Sequence, residues 1–223
     1  TGANNTAVGT SSLYANTTGT RNDALGYQAG TALTTGSYNT FIGERAGAST
    51  TTASENTAVG SASLTGNTTG ATNVAIGKNA LAANTTGASN VAVGAYALDA
   101  NTTAANNVAV GYGSLGTNTT GASNVGIGTN ALLNSTTASY NVAVGEDALR
   151  VNTTGTQNAA VGAYALDVNT TASGNTALGY YGLSANTTGA DNTSVGNQAL
   201  AANTTGAYNS AVGTYALDAN TTG

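Results

Sequence analysis

Apolar and polar positions along this chain repeat with a period of seventeen residues, through thirteen copies, without an insertion or deletion. Each copy opens on an asparagine (Asn5, Asn22, Asn39 and onward to Asn209), and numbering columns from it gives Asn-x-Ala-Val-Gly-x-x-Ala-Leu-x-Ala-Asn-Thr-Thr-Gly-x-x. Column four is aliphatic in every copy, from Val8 and Leu25 to Val212, and column five is always glycine. Column nine is leucine except at Gly30 and Gly47, and columns thirteen and fourteen are always Thr-Thr. In a run such as Asn90-Val91-Ala92-Val93-Gly94, β-branched residues in columns two and four alternate with alanine in column three. That alternation is the period-two pattern of a short strand. The glycine that follows releases the chain into a turn that a Cβ would obstruct. Ala-Leu-x-Ala in columns eight to eleven predicts a second short segment, a strand or a single helical turn. Asn-Thr-Thr-Gly is turn chemistry. Two short strands and two turns per coil is the resulting expectation.

A fixed short period marks a solenoid, in which each repeat is one coil stacked on the last. The fold class is therefore all-β: a β-solenoid, or β-roll, of thirteen 17-residue coils spanning residues 1–223 as one tandem array. Coils about 4.8 Å apart would make a stack roughly 60 Å long. Each column then becomes a ladder of like side chains: Asn90, Asn107 and Asn124; Val93 and Val110; Gly94 and Gly111; Leu98 and Leu115; Thr102 and Thr103. Asparagine ladders exchange amide hydrogen bonds between rungs, so the asparagine column reads as structural.

The variable columns complete the division. All eleven tyrosines fall in columns six, seven, ten and seventeen, and so does every charged residue except Asp23. Charge avoids interiors unless it is paired, so these columns face solvent. Tyr164 and Tyr181 share column seven in adjacent coils and Tyr180 precedes the latter, which predicts a cluster. Together with Tyr96 and Tyr215 they are the candidate surface-binding residues, because exposed tyrosines bring amphipathic contact area at low entropic cost.

Composition narrows the chemistry. There is no His or Cys, which removes the usual nucleophile–base pairs, and the nine acids do not recur in fixed pairs. Glycosidase chemistry needs two carboxyls at a set separation, and a calcium-binding β-roll needs Asp in every repeat. The expectation is no enzyme, no metal and no cofactor. Four basic residues give no footprint for nucleic acid, and no run of apolar residues is long enough for a membrane-spanning helix. The chain opens and closes inside a repeat and shows no capping unit, so it reads as an uncapped segment of a longer protein. Ten Asn-Thr-Thr sequons read as a by-product of the turn, since glycans about 4.8 Å apart would collide.

The run from Asn90 to Ala100, repeated from Asn141 to Val151, resembles the head repeats of YadA-like trimeric autotransporter adhesins. It is similar also to repeats of phage and bacterial tail-fibre proteins, and the whole chain has that style. The adhesin repeat is shorter, and the additional residues fall in the Asn-Thr-Thr-Gly turn, which makes the tail-fibre relative the closer match. The resemblance implies a homotrimer of parallel β-rolls with aliphatic residues at the shared axis. It implies an extracellular, cell-surface or virion location, with a host-surface glycan or protein receptor as ligand. Independently of it, the interior looks thin, and the aliphatic columns four and nine could serve one inward face and one face between subunits. The expected function is the structural shaft of an extracellular fibre that spaces or presents an adhesive module and contributes surface contacts itself. Two alternatives stand beside it: an ice- or crystal-binding threonine ladder, and a self-assembling matrix filament built by end-to-end stacking.

Overall fold

The computed structural model describes residues 2–223 and contains thirteen strands of three residues, one per repeat, at columns two to four. It is an all-β solenoid of parallel strands, with no helix among the described residues. The chain divides into two compact units, one ending at Ala109 and one running from Val110 to Gly223.

In the first unit, β1 (Thr6–Val8), β2 (Asp23–Leu25), β3 (Thr40–Ile42), β4 (Thr57–Val59), β5 (Val74–Ile76) and β6 (Val91–Val93) follow one another in sheet order. β7 (Val108–Val110) stands where the units divide. The second unit holds β8 (Val125–Ile127), β9 (Val142–Val144), β10 (Ala159–Val161), β11 (Thr176–Leu178), β12 (Thr193–Val195) and β13 (Ser210–Val212). Within each unit the register advances by one repeat, so Ala75 pairs with Ala92 and Ile76 with Val93, as Val125 pairs with Val142 and Ile127 with Val144.

The second strand expected in each coil does not form. In the fifth coil the N–H groups of Ala80, Ala82 and Asn84 bond back to Gly77, Asn79 and Leu81, three overlapping turns of 3.2–3.3 Å. The intervening N–H groups leave the coil: Asn79 donates to Ser61 in the coil before, and Leu81 and Ala83 donate to Ala97 and Asp99 in the coil after. Alternation between in-coil and between-coil bonds satisfies the backbone without a ladder. Columns seven and nine sit at positive φ, 57° at Asn79 and 52° at Leu81, the sign that the third residue of a type II turn requires. Leucine in that region costs about 1–3 kcal/mol. Burial offsets the cost, since the column-nine leucines from Leu64 to Leu200 have no exposed surface.

Which side of the strand faces inward is a second finding. The alanine of column three is buried in coil after coil, whereas column four stands outside, with Val8, Leu25 and Leu178 about half exposed. The interior is thin, and leucine from the turn wall fills it, so only a small residue fits opposite. Coils two and three show the rule by inverting it. Phe41 replaces the column-three alanine and is fully buried, and the two coils around it carry Gly30 and Gly47 where leucine belongs. A Cβ on Gly30 would lie 2.7 Å from Phe41 Cδ2, and one on Gly47 would also collide with that ring. The column-five glycines have a different cause. At Gly60, φ is +131° and a Cβ would stand 2.7 Å from the carbonyl oxygen of Gly77 in the next coil.

Two buried asparagine ladders tie the coils. In column one, Asn107 N–H donates to Asn90 Oδ1 (3.0 Å), and Asn90 Nδ2 donates to Asn73 Oδ1 (3.2 Å) and to the carbonyl of Ala104 (2.9 Å). Column-one Asn141 repeats the pattern on Asn124 in the second unit. In column twelve, Asn101 Nδ2 donates to Asn84 Oδ1 and to the same Ala104 carbonyl. Both amides thus converge on one corner of the coil, drawing its ends together.

Candidate binding surfaces

Two outer faces differ in chemistry. The strand face displays columns two and four. Column four is aliphatic throughout, and Asp23 is the one charged residue in either column. Ile42, Ile76 and Ile127, the only isoleucines in the chain, all lie here at 39–40% exposure. Each such rung leaves roughly 1 kcal/mol of burial unrealised in an isolated chain. Val93 and Val110 of the predicted ladder belong to this outward face and not to the core.

The turn face displays columns six, seven and ten. In the second unit the Tyr164 and Tyr181 rings stack with centroids 4.9 Å apart and planes 13° apart. Tyr180 stands edge-on to both, at 4.4 Å from Tyr181 and 6.2 Å from Tyr164. The predicted cluster is therefore formed. Tyr215 shares the column but lies two coils on, with Gln198 between, and Tyr96 belongs to the other unit, where Lys78 Nζ sits 5.9 Å from its ring centroid. Three of the five candidate tyrosines thus form a cluster.

The acids beside the cluster are what residue-by-residue reading missed. Glu146 and Asp147 stand some twenty residues from Asp167 in sequence, yet columns six and seven put the first two on the rung before Tyr164 and column ten puts Asp167 on the rung of Tyr164 itself. The Glu146 carboxylate, followed by burial and Asp147, raises the Tyr164 phenol above its ordinary value. Burial raises Asp167, against the lowering pull of Arg150. Arg150 Nε stands 3.6 Å from Asp147 Oδ2, while Oδ1 of Asp147 and of Asp167 are shielded from solvent without a hydrogen-bond partner among the described residues.

The paired threonines separate. Column-thirteen hydroxyls donate to the carbonyl one coil on, as Thr85 Oγ1 does to Thr102 (3.0 Å); between the end coils, column thirteen is half-buried and column fourteen, Thr103 among it, is exposed. A flat double row of threonines is not presented. The sequon asparagines Asn84, Asn101 and Asn118 are fully buried, so their amides do not face solvent for glycan attachment. No group of three or more His, Cys, Asp or Glu side chains is placed to hold a metal among the described residues. Among the described residues no helix is long and apolar enough to cross a membrane. Comparison with family models, with characterised protein sequences and with solved structures finds no match.

Proposed function

We propose that this chain is a shaft segment of an extracellular fibre, assembled as a parallel homotrimer, that spaces or presents an adhesive module. The exposed aliphatic row of column four carries the reading. A stripe that repeats at every coil is matched along its length only by a partner with the same repeat, and a copy of this chain in register is such a partner. Parallel association about a common axis sets like rungs against one another, with burial as the driving force. The near absence of charge from columns two and four fits this face, since an interface core is depleted of charge. The variable turn face is left to water and to ligands. The three-copy stoichiometry and the outside location rest on the resemblance of the repeat to trimeric adhesin and tail-fibre repeats. Light scattering of the purified chain tests it. The expected molar mass is three times the 21.4 kDa of one chain, and a stable species of single-chain mass overturns the reading.

A further inference from the structure

The same two positions, column six of one coil and column seven of the next, occur in both units with opposite charge. In the first unit Lys78 is followed one coil later by Tyr96, whose N–H donates to the Lys78 carbonyl at 3.0 Å while the ammonium lies over the ring. In the second unit Glu146 and Tyr164 stand in the identical backbone relation, Tyr164 N–H donating to the Glu146 carbonyl at 2.9 Å. Where one ring carries a cation from its own chain, the other carries a carboxylate beside it. A third tyrosine, Tyr38, has Arg21 from the preceding coil 5.2 Å from its ring centroid, with a guanidinium N–H donating to the phenol oxygen at 2.7 Å. Tyrosine faces on this scaffold are thus cation seats, filled in cis twice.

At the cluster three rings stand together. Among the described residues no Lys or Arg side chain stacks over Tyr164, Tyr180 or Tyr181. Arg150 is engaged below, with Asp147. Glu146, Asp147 and Asp167 against the single Arg150 leave the surroundings net negative. A cation over an aromatic face is attracted by the ring quadrupole, and a neighbouring carboxylate adds to that pull. A neutral sugar stacked on the same rings would gain nothing from the excess negative charge.

We propose that Tyr164, Tyr180 and Tyr181, together with Glu146, form a binding site for an organic cation, an alkylammonium or guanidinium group supplied in trans. The site stands apart from the shaft reading, because it lies on the turn face and is complete within one chain. Free quaternary ammonium compounds and basic side chains of a partner protein share this chemistry.

The test uses the full chain with ¹³C-labelled tyrosine rings, titrated with choline, with a blocked Gly-Arg-Gly peptide, and with 3,3-dimethylbutan-1-ol, the neutral shape-mimic of choline. The expected result is saturable shifts of the Tyr164, Tyr180 and Tyr181 resonances with at least one cation, and at least tenfold weaker binding of the alcohol. Tighter choline binding assigns the site to a small quaternary ammonium, and tighter peptide binding to a basic segment of a partner. Glu146→Lys places a cation in the Lys78 arrangement and is expected to weaken binding tenfold or more. Lys78→Glu is expected to open a second seat, seen as new saturable shifts of Tyr96. Equal binding of the neutral alcohol, no saturable shift with either cation, or unchanged affinity in Glu146→Lys would overturn the proposal. The Lys78→Glu arm leaves the cluster unaltered, and a folded Lys78→Glu variant without new saturable Tyr96 shifts would overturn the proposal as well.

Discussion

The strand face and the turn face are built from the same coil, yet one is monotonous and the other is not. Columns two and four carry small or aliphatic residues in coil after coil, while columns six, seven and ten pass through Lys, Glu, Asp, Arg, Gln, Ala and Tyr. Neither face is needed to fill the interior, which columns one, three, eight, nine and twelve occupy. The difference therefore reflects what each face meets. A partner with the same repeat asks for the same residue at every rung, whereas a ligand that touches a few rungs asks for particular residues at those rungs.

Breaking the monotonous side should give the largest effect. Ile76→Asp with Ile127→Asp puts one charge on the stripe of each unit. Both side chains reach solvent in the single chain, so each unit stays folded. Burying the unpaired charges against a neighbouring copy should lower the association constant a hundredfold or more, about 3 kcal/mol, read by sedimentation. The same pair of substitutions made on the turn face, at Ala163 and Ala95, should leave association unchanged.

The interior supports both faces, and altering it sharpens the contrast. Phe41→Ala empties the space that Gly30 and Gly47 leave to the ring and should cost about 3–5 kcal/mol in thermal or denaturant unfolding. Restoring the ordinary pattern with Gly30→Leu and Gly47→Leu in the same chain should return most of that loss. The three changes are thus strongly non-additive.

Smaller effects belong to the turn face. Glu146→Gln removes the first cause of the raised Tyr164 phenol, so its titration, followed by the labelled ring resonance, should move down toward the ordinary 10.0. Asp99 is raised by burial from the usual 3.8. A group with a raised folded value contributes stability that is complete below its unfolded value and lost as pH rises through the folded one. Asp99→Asn should therefore stabilise the chain at neutral pH by only about 0.5 kcal/mol, because solvent screens a half-exposed group. The advantage should vanish below about pH 3.8, which paired melting curves at the two pH values would show.

Much of the coil was legible in the sequence because its causes are local and repeat. Asparagine at a fixed interval predicts amide ladders, and Asn90 and Asn107 form one. Val91-Ala92-Val93 predicts a strand, and β6 is that strand. The inward side of the strand was not legible, since alternation is symmetric and bulk normally marks the core. Here the room is taken by Leu98 from the opposite wall, leaving space for no more than Ala92. Helix and strand propensity in Ala97-Leu98 likewise gave no sign of the positive φ at Leu98 (51°), which is set by hydrogen bonds to neighbouring coils. The tyrosine cluster followed from column arithmetic alone, and its acidic surround would have followed from the same arithmetic applied to Glu146, Asp147 and Asp167.

Ile42, Ile76 and Ile127 are the chain's only isoleucines and all belong to the aliphatic stripe, so selective ¹³C labelling of isoleucine methyls reports on that face alone. Relaxation of these methyls by a soluble paramagnetic chelate, with the tyrosine rings as the exposed reference, measures directly whether the stripe is covered. A covered stripe predicts isoleucine methyls strongly protected in the purified protein while the exposed Tyr180 and Tyr208 rings relax freely. Isoleucine methyls relaxed as fast as those rings would contradict it.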